Sequence, residues 1–221
     1  MPLAIFDLDN TLLLGDSDHS WGEFLAELGV VDPVEQRRKH EYYYAEYEAG
    51  RLNIHEFLRF QLAPLTRYPR PELEQWRERF MQEKILPMIT SSARQLVESH
   101  RVRGHRLIIV TATNSFITRP IADEFGIETL IASEPQQVAG QFTGEVDGTP
   151  SYREGKVTKL SAWLDANRES LDDSWFYSDS HNDLPLLRAV SHPVAVNPDP
   201  VLTAEANQRG WPILEISADR C

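Results

Sequence analysis

Asp7 and Asp9 stand two residues apart, directly after the apolar run Leu3-Ala4-Ile5-Phe6. A buried strand that ends in acids delivers carboxylates to the rim of a sheet, where α/β folds bind their ligands. Strand alternation would point Asp7 and Asp9 the same way, and carboxylates held that close repel unless a cation or a proton lies between them. Asp179 and Asp183 follow a second apolar run, Trp175-Phe176-Tyr177. Convergent carboxylates of this kind suit a hard cation such as Mg²⁺, which takes oxygen ligands and keeps several waters. Thr111 ends the run Arg106-Leu107-Ile108-Ile109-Val110, and Lys156 opens a helical pattern after Gly155. Taken singly, the threonine reads equally as a helix cap and the lysine as a solvated helix start. Nearby Lys159 is a rival to Lys156. A P-loop is excluded, because that pattern needs Gly at 150 and Ser or Thr at 157, where the chain has Pro150 and Val157.

The elements that would carry these residues alternate. A strand is expected at 3–6, helix from 91 toward Gly104, strand at 106–110, helix at 116–125 and strand at 128–132. A hairpin around Gly140-Gln141 is expected outside the main sheet. There follow a helix through Val157, Leu160, Trp163 and Leu164, strand at 175–177, helix at 184–189, and last strands at 193–196 and 213–216. Such alternation implies α/β architecture, a Rossmann-like parallel sheet flanked by helices. Between about 16 and 89 the composition changes. Glu, Arg, Gln, Tyr and His dominate there, and breaks at Asp32-Pro33, Gly50, Ala63-Pro64 and Pro69-Arg70-Pro71 divide the segment into about four helices. The expected organisation is a discontinuous core, 1–15 and 90–221, interrupted by an all-helical cap, 16–89. Tyr42, Tyr43, Tyr44 and Tyr47 read as packing residues, with the option of lining a pocket beneath that cap.

The 221 residues are 41% hydrophobic, enough for a proper core. Lys+Arg 22 against Asp+Glu 34 gives −12, a field that repels phosphate backbones and anionic membrane surfaces, so neither nucleic acid nor membrane is an expected partner. The only cysteine is Cys221, which leaves no intrachain disulfide and no zinc pattern and fits a reducing cytoplasm. No signal peptide is expected, since Asp7 and Asp9 break the first apolar run.

The order apolar-apolar-apolar-Asp7-Leu8-Asp9-Asn10-Thr11 resembles the first motif of the haloacid dehalogenase-like superfamily. Val110-Thr111-Ala112-Thr113-Asn114 is similar to its second motif, Gly155-Lys156 to its third, and Ser178-Asp179-Ser180-His181-Asn182-Asp183 to its fourth, with Ser178 in place of the usual Gly. The helical segment resembles the cap of the phosphoserine-phosphatase-like branch. The resemblance implies a Mg²⁺-dependent phosphatase that hydrolyses a small-molecule phosphomonoester through an aspartyl-phosphate. Asp7 would be the nucleophile and Asp9 the acid/base. Thr111, Lys156 and Asn182 would hold the phosphoryl group, and Asp7, Asp9, Asp179 and Asp183 would surround the metal, Asp183 either directly or by orienting a metal water or Lys156. Asp9 argues against dehalogenase chemistry, which has no need of an acid/base two residues on. Asp16, nine positions after Asp7, stands where related phosphoserine phosphatases contact the substrate amine. Asp18, Arg51, Arg59 and Asn114 complete the substrate candidates, and phosphoserine and histidinol phosphate are equally credible substrates. A phosphorylatable receiver-like signalling domain and a non-catalytic Mg²⁺-binding module are the competing readings. The first is about half this length and has no use for a long helical insert.

Overall fold

The computed structural model describes residues 1–219; Cys221, the one cysteine, lies outside the described residues. Four short apolar residues start the fold. β1 (Leu3–Phe6) alternates its side chains across a sheet, Leu3 and Ile5 entering one core and Ala4 and Phe6 the other. All four are fully buried, as a central parallel strand must be. The other strands are β2 (Arg106–Asn114), β3 (Thr129–Val138), β4 (Gln141–Asp147), β5 (Trp175–Ser178), β6 (His192–Val196) and β7 (Ile213–Leu214). They form one seven-stranded sheet in the order β4-β3-β2-β1-β5-β6-β7, parallel except for the antiparallel pair β3–β4. β1 sits between β2 and β5, so the loops leaving all three open on the same rim where the strand order reverses, the position at which such sheets bind ligands.

Helices cover both faces. Between β1 and β2 lie α1 (Ser17–Glu27), α2 (Pro33–Glu48), α3 (Ile54–Leu62), a 3₁₀ turn (Ala63–Arg67), α4 (Arg70–Phe80), a π turn (Met81–Ile85) and then α5 (Ser91–Arg101). α6 (Ser115–Glu124), α7 (Glu154–Asn167), α8 (Leu184–Leu187) and α9 (Pro200–Arg209) follow in order. The starts are written in the sequence. Asp16, Asp32, Asn53, Thr90, Asn114 and Asp199 each accept the backbone N–H three residues on, which satisfies one of the amides that a helix leaves without partners. Among the described residues no helix is long and apolar enough to cross a membrane.

Three expectations change. β2 runs on to Asn114, because its later residues bond to β3 after β1 has ended. The hairpin does not lie outside the sheet: β3 continues into it, and β4 is the outermost strand at one edge of the sheet, opposite β7. α9 was not foreseen, although Asp199-Pro200 and Gly210 mark its two ends, with Gly210 in the left-handed conformation at its C-terminus.

Candidate active site

The chain leaves β1 by a tight coil. Leu8 O accepts the N–H groups of Thr11, Leu12 and Leu13, and Asn10 takes a left-handed φ of 57° with its N–H bonded to Gly15 O. Strand alternation therefore stops at Phe6, and the coil rather than the pleat brings both carboxylates to the pocket. They face different partners there. Asp7 Oδ1 accepts Lys156 Nζ at 2.7 Å, whereas Asp9 accepts Ser17 N at 2.6 Å on Oδ1 and Thr113 Oγ1 at 2.8 Å on Oδ2.

Lys156 is 4% exposed and bridges Asp7 and Asp183, each at 2.7 Å. Its position comes from the start of α7, where a Cβ on Gly155 would fall 2.1 Å from Pro150 O, so only glycine lets the helix begin so close to the preceding loop. Burial opposes the lysine's charge, but Asp183 and Asp7 outweigh it and hold the ammonium above its ordinary range. Lys159 donates instead to Ala132 O at 2.6 Å, away from the carboxylates. Ser178 has a use that the common Gly would lack: its hydroxyl donates to Asp183 Oδ2 at 2.7 Å.

Burial pushes Asp7 up to about 6, with Lys156 pulling it down and Asp183 adding to the rise. Desolvation followed by the charge of Asp16 lifts Asp9 to about 7. Asp179 is driven well above the carboxylate range by burial and then by Asp7 and Asp183. Asp7, Asp9, Asp179 and Asp183, when ionised, set four carboxylates against one lysine, an excess of negative charge that a divalent cation would relieve. Among the described residues no group of three or more His, Cys, Asp or Glu side chains converges to cage an ion. The donor set fits Mg²⁺, which takes one or two carboxylates and fills its remaining positions with water and phosphate oxygens. Asp7 and Asp179 would supply those carboxylates. Asp9 is spent on Ser17 and Thr113, and Asp183 on Lys156 and Ser178.

The pocket above these groups is lined by Asp16, Asp18, His40, Tyr43, Tyr44, Tyr47, Phe57, Thr111, Thr113 and Tyr152, among others. Thr111 accepts Thr113 N at 3.2 Å and keeps its own hydroxyl hydrogen for a ligand. Tyr43, Tyr44 and Tyr47 of α2 do line the pocket, whereas Tyr42 is exposed and does not. His40, Phe57, Thr113 and Tyr152 carry no site signal of their own in the sequence, since neither an aromatic ring nor a threonine next to a strand separates a pocket wall from a core.

Four candidates are turned away. Arg51 pairs with Glu46 at 2.8 Å and Arg59 with Glu145 at 2.8 Å, both on exposed faces where the guanidinium stays hydrated. Asn114 is a helix cap whose Oδ1 accepts Ile117 N. Asn182 is engaged by protein on both sides of its amide: its Nδ2 donates to Tyr47 O at 3.1 Å and its Oδ1 accepts Tyr152 OH at 3.0 Å.

Residues 4–188 match the family model of haloacid dehalogenase-like hydrolases. A histidinol-phosphatase from Neisseria meningitidis serogroup C (strain 8013) is 47% identical over 216 residues, 96% of this chain and 97% of that one. A crystal structure of a protein with unknown function from Bordetella pertussis Tohama I superposes with a TM-score of 0.91 at 45% identity, covering 96% of this chain and 97% of that one. A phosphoserine phosphatase structure shares the fold with a TM-score of 0.72 at 19% identity, over 99% and 94% of the two chains. With Asp7, Asp9, Lys156 and Thr111 gathered on one rim, the chain belongs to the haloacid dehalogenase-like hydrolase family and is a phosphatase.

Proposed function

We propose that this phosphatase hydrolyses a small phosphomonoester that carries a cationic nitrogen and no carboxylate, histidinol phosphate being the substrate that best fits. The observation that carries the reading is the charge of the pocket wall. Asp16 and Asp18 line it beside Tyr43, Tyr44, Tyr47 and Phe57, and Lys156 is its one lysine or arginine among the described residues. Lys156 is already held by two carboxylates, so a substrate carboxylate such as that of phosphoserine would meet four further acids on the wall and no lysine or arginine free to pair with it. An ammonium meets complementary charge, and an imidazole meets the π faces it stacks on. The 47% identical relative carries the name of a histidinol-phosphatase.

The proposed route is a double displacement. A carboxylate oxygen of Asp7 attacks phosphorus, the bond from phosphorus to the ester oxygen breaks, and Asp9 gives its proton to the departing alkoxide. Asp9, now ionised, takes a proton from water as that water attacks phosphorus; the bond to Asp7 breaks and inorganic phosphate leaves. Thr111 and Lys156 stabilise charge on the equatorial oxygens. Phosphatases of this family are generally Mg²⁺-dependent, and Mg²⁺ held by Asp7 and Asp179 would supply further charge neutralisation for those oxygens.

The test is a panel of histidinol phosphate, phosphoserine, phosphoethanolamine and a hexose phosphate assayed with Mg²⁺. Histidinol phosphate is expected to lead phosphoserine and the hexose phosphate by tenfold or more in kcat/KM. A lead for phosphoserine or the sugar overturns the reading.

A further inference from the structure

Asp16 and Asp18 both line the pocket, but they are not equivalent. Asp16 begins α1 as its cap: its Oδ1 accepts His19 N at 2.9 Å, so its charge already serves the helix end. Asp18 lies two residues on, in the first turn of α1, is only 4% exposed, and caps no backbone N–H. Its Oδ1 is buried and makes no well-formed hydrogen bond; the Nε2 of Gln61, itself 4% exposed, stands against the same carboxyl and offsets it only in part. A buried carboxylate oxygen left unpaired costs free energy that a fold does not normally tolerate. An unpaired one that faces a ligand pocket is poised for a partner that arrives with the ligand.

We propose that Asp18, not Asp16, is the specificity-determining residue that receives the substrate's cationic nitrogen. This rests on the cationic-substrate reading above and sharpens it to one residue. Burial, then the charges of Asp16 and Asp9, raise the Asp18 carboxyl well above the usual range, with Gln61 lowering it, and a cation entering beside it would favour the ionised form. Gln61 on α3 would be the positioning residue, since its amide stands against the same carboxyl. A neutral isostere at 18 therefore leaves the fold intact while removing the counter-charge.

Phosphoethanolamine and ethyl phosphate differ by one ammonium group and isolate the effect. The wild-type protein is expected to favour the first by tenfold or more in kcat/KM. Asp18→Asn is expected to reduce that preference below threefold, with an unchanged circular-dichroism spectrum and a cooperative melting transition as evidence of an intact fold. Asp16→Asn is expected to keep most of the preference. Calorimetry with L-histidinol alone gives a readout independent of turnover, and Asp18→Asn should weaken its binding by tenfold or more. If Asp18→Asn keeps the full preference, or Asp16→Asn alone erases it, the assignment is wrong while the cationic-substrate reading stands. If wild type shows no preference for the ammonium, both fall together.

Discussion

Thr113 donates its hydroxyl hydrogen to Asp9 Oδ2 at 2.8 Å, while Ser17 N, at the start of α1, holds Oδ1 at 2.6 Å. The proposed acid/base is thus pinned between a strand of the sheet and the first helix of the insert, and its proton affinity, raised to about 7, suits a group that must give and take a proton near neutrality.

Asp9→Asn is expected to separate the two chemical steps. With p-nitrophenyl phosphate, whose leaving group needs no proton, the variant should release a burst approaching one nitrophenolate per protein and then turn over slowly, because the water that clears Asp7 lacks a base. With an alkyl phosphate no burst is expected. Asp7→Asn should show neither. Rapid-quench measurement decides it, and equal steady rates for both leaving groups in Asp9→Asn would remove Asp9 from proton transfer.

Replacing Lys156 with Met removes the one cation that opposes Asp7 and Asp183. The proton affinity of Asp7 should then rise beyond about 6, so residual activity should move to higher pH. A loss of about 10²–10³ in kcat is expected from the missing charge on the transferring group. An unshifted pH–rate profile would contradict the pairing.

Metal dependence should carry a pH signature. Asp7 is lifted from 3.8 to about 6 in the fold, so between those values the folded protein binds more protons than the unfolded chain, and this group's contribution to stability is lost as pH rises through that window. Asp179 changes in the same direction. Mg²⁺ needs these groups ionised, so it should raise the melting temperature more at pH 7.5 than at pH 5, and EDTA should abolish both the difference and the activity. Equal Mg²⁺ shifts at the two pH values would count against Asp7 and Asp179 as ligands.

Gly155→Ala should damage function from outside the pocket. The added methyl would meet Pro150 O, a backbone atom, at 2.1 Å, so the start of α7 must move and Lys156 with it. A stability loss of about 1–3 kcal/mol is expected by denaturation, with a fall in kcat of more than tenfold. Wild-type kcat in this variant would mean that Lys156 does not depend on the helix start.

Tyr47→Phe tests how the insert is fastened. The tyrosine hydroxyl meets Ser180 Oγ at 2.7 Å, next to Asp179, and its loss should cost about 0.5–1.5 kcal/mol. Limited proteolysis in residues 50–53 is expected to quicken, with kcat/KM falling several-fold. No change in either would show that other contacts, such as Arg153 to Gly50 O at 2.9 Å, suffice.

The parallel sheet and its order of elements were legible because buried strands and capped helices write their ends in residue type: apolar runs that stop at Asp7, Thr111 and Ser178, and caps at Asp32 and Thr90. What escaped was long-range. Nothing local tells that β4 pairs at the sheet's edge, since turn chemistry gives a hairpin but not what lies beside it. Asp7, Lys156 and Thr111 could be named because each closes an apolar run or stands at the start of a helix. Arg51, Arg59, Asn114 and Asn182 could not be placed, because whether a polar side chain faces a ligand, a cap or a neighbouring acid is decided by partners such as Glu145 or Tyr152, distant in the chain.

The outermost strand has a consequence of its own. A strand with one side unpaired is an open template on which another chain can lay a strand and begin an aggregate. Here α3 and the 3₁₀ turn after it lie against β4: Arg59 clasps Glu145, and a methyl on Gly144 would press on Thr66 at 3.1 Å. The segment that walls the pocket on one side therefore also shields the sheet on another. A chain whose insert is shortened or unfolded should lose its substrate chamber and its protection against sheet-to-sheet association in the same step.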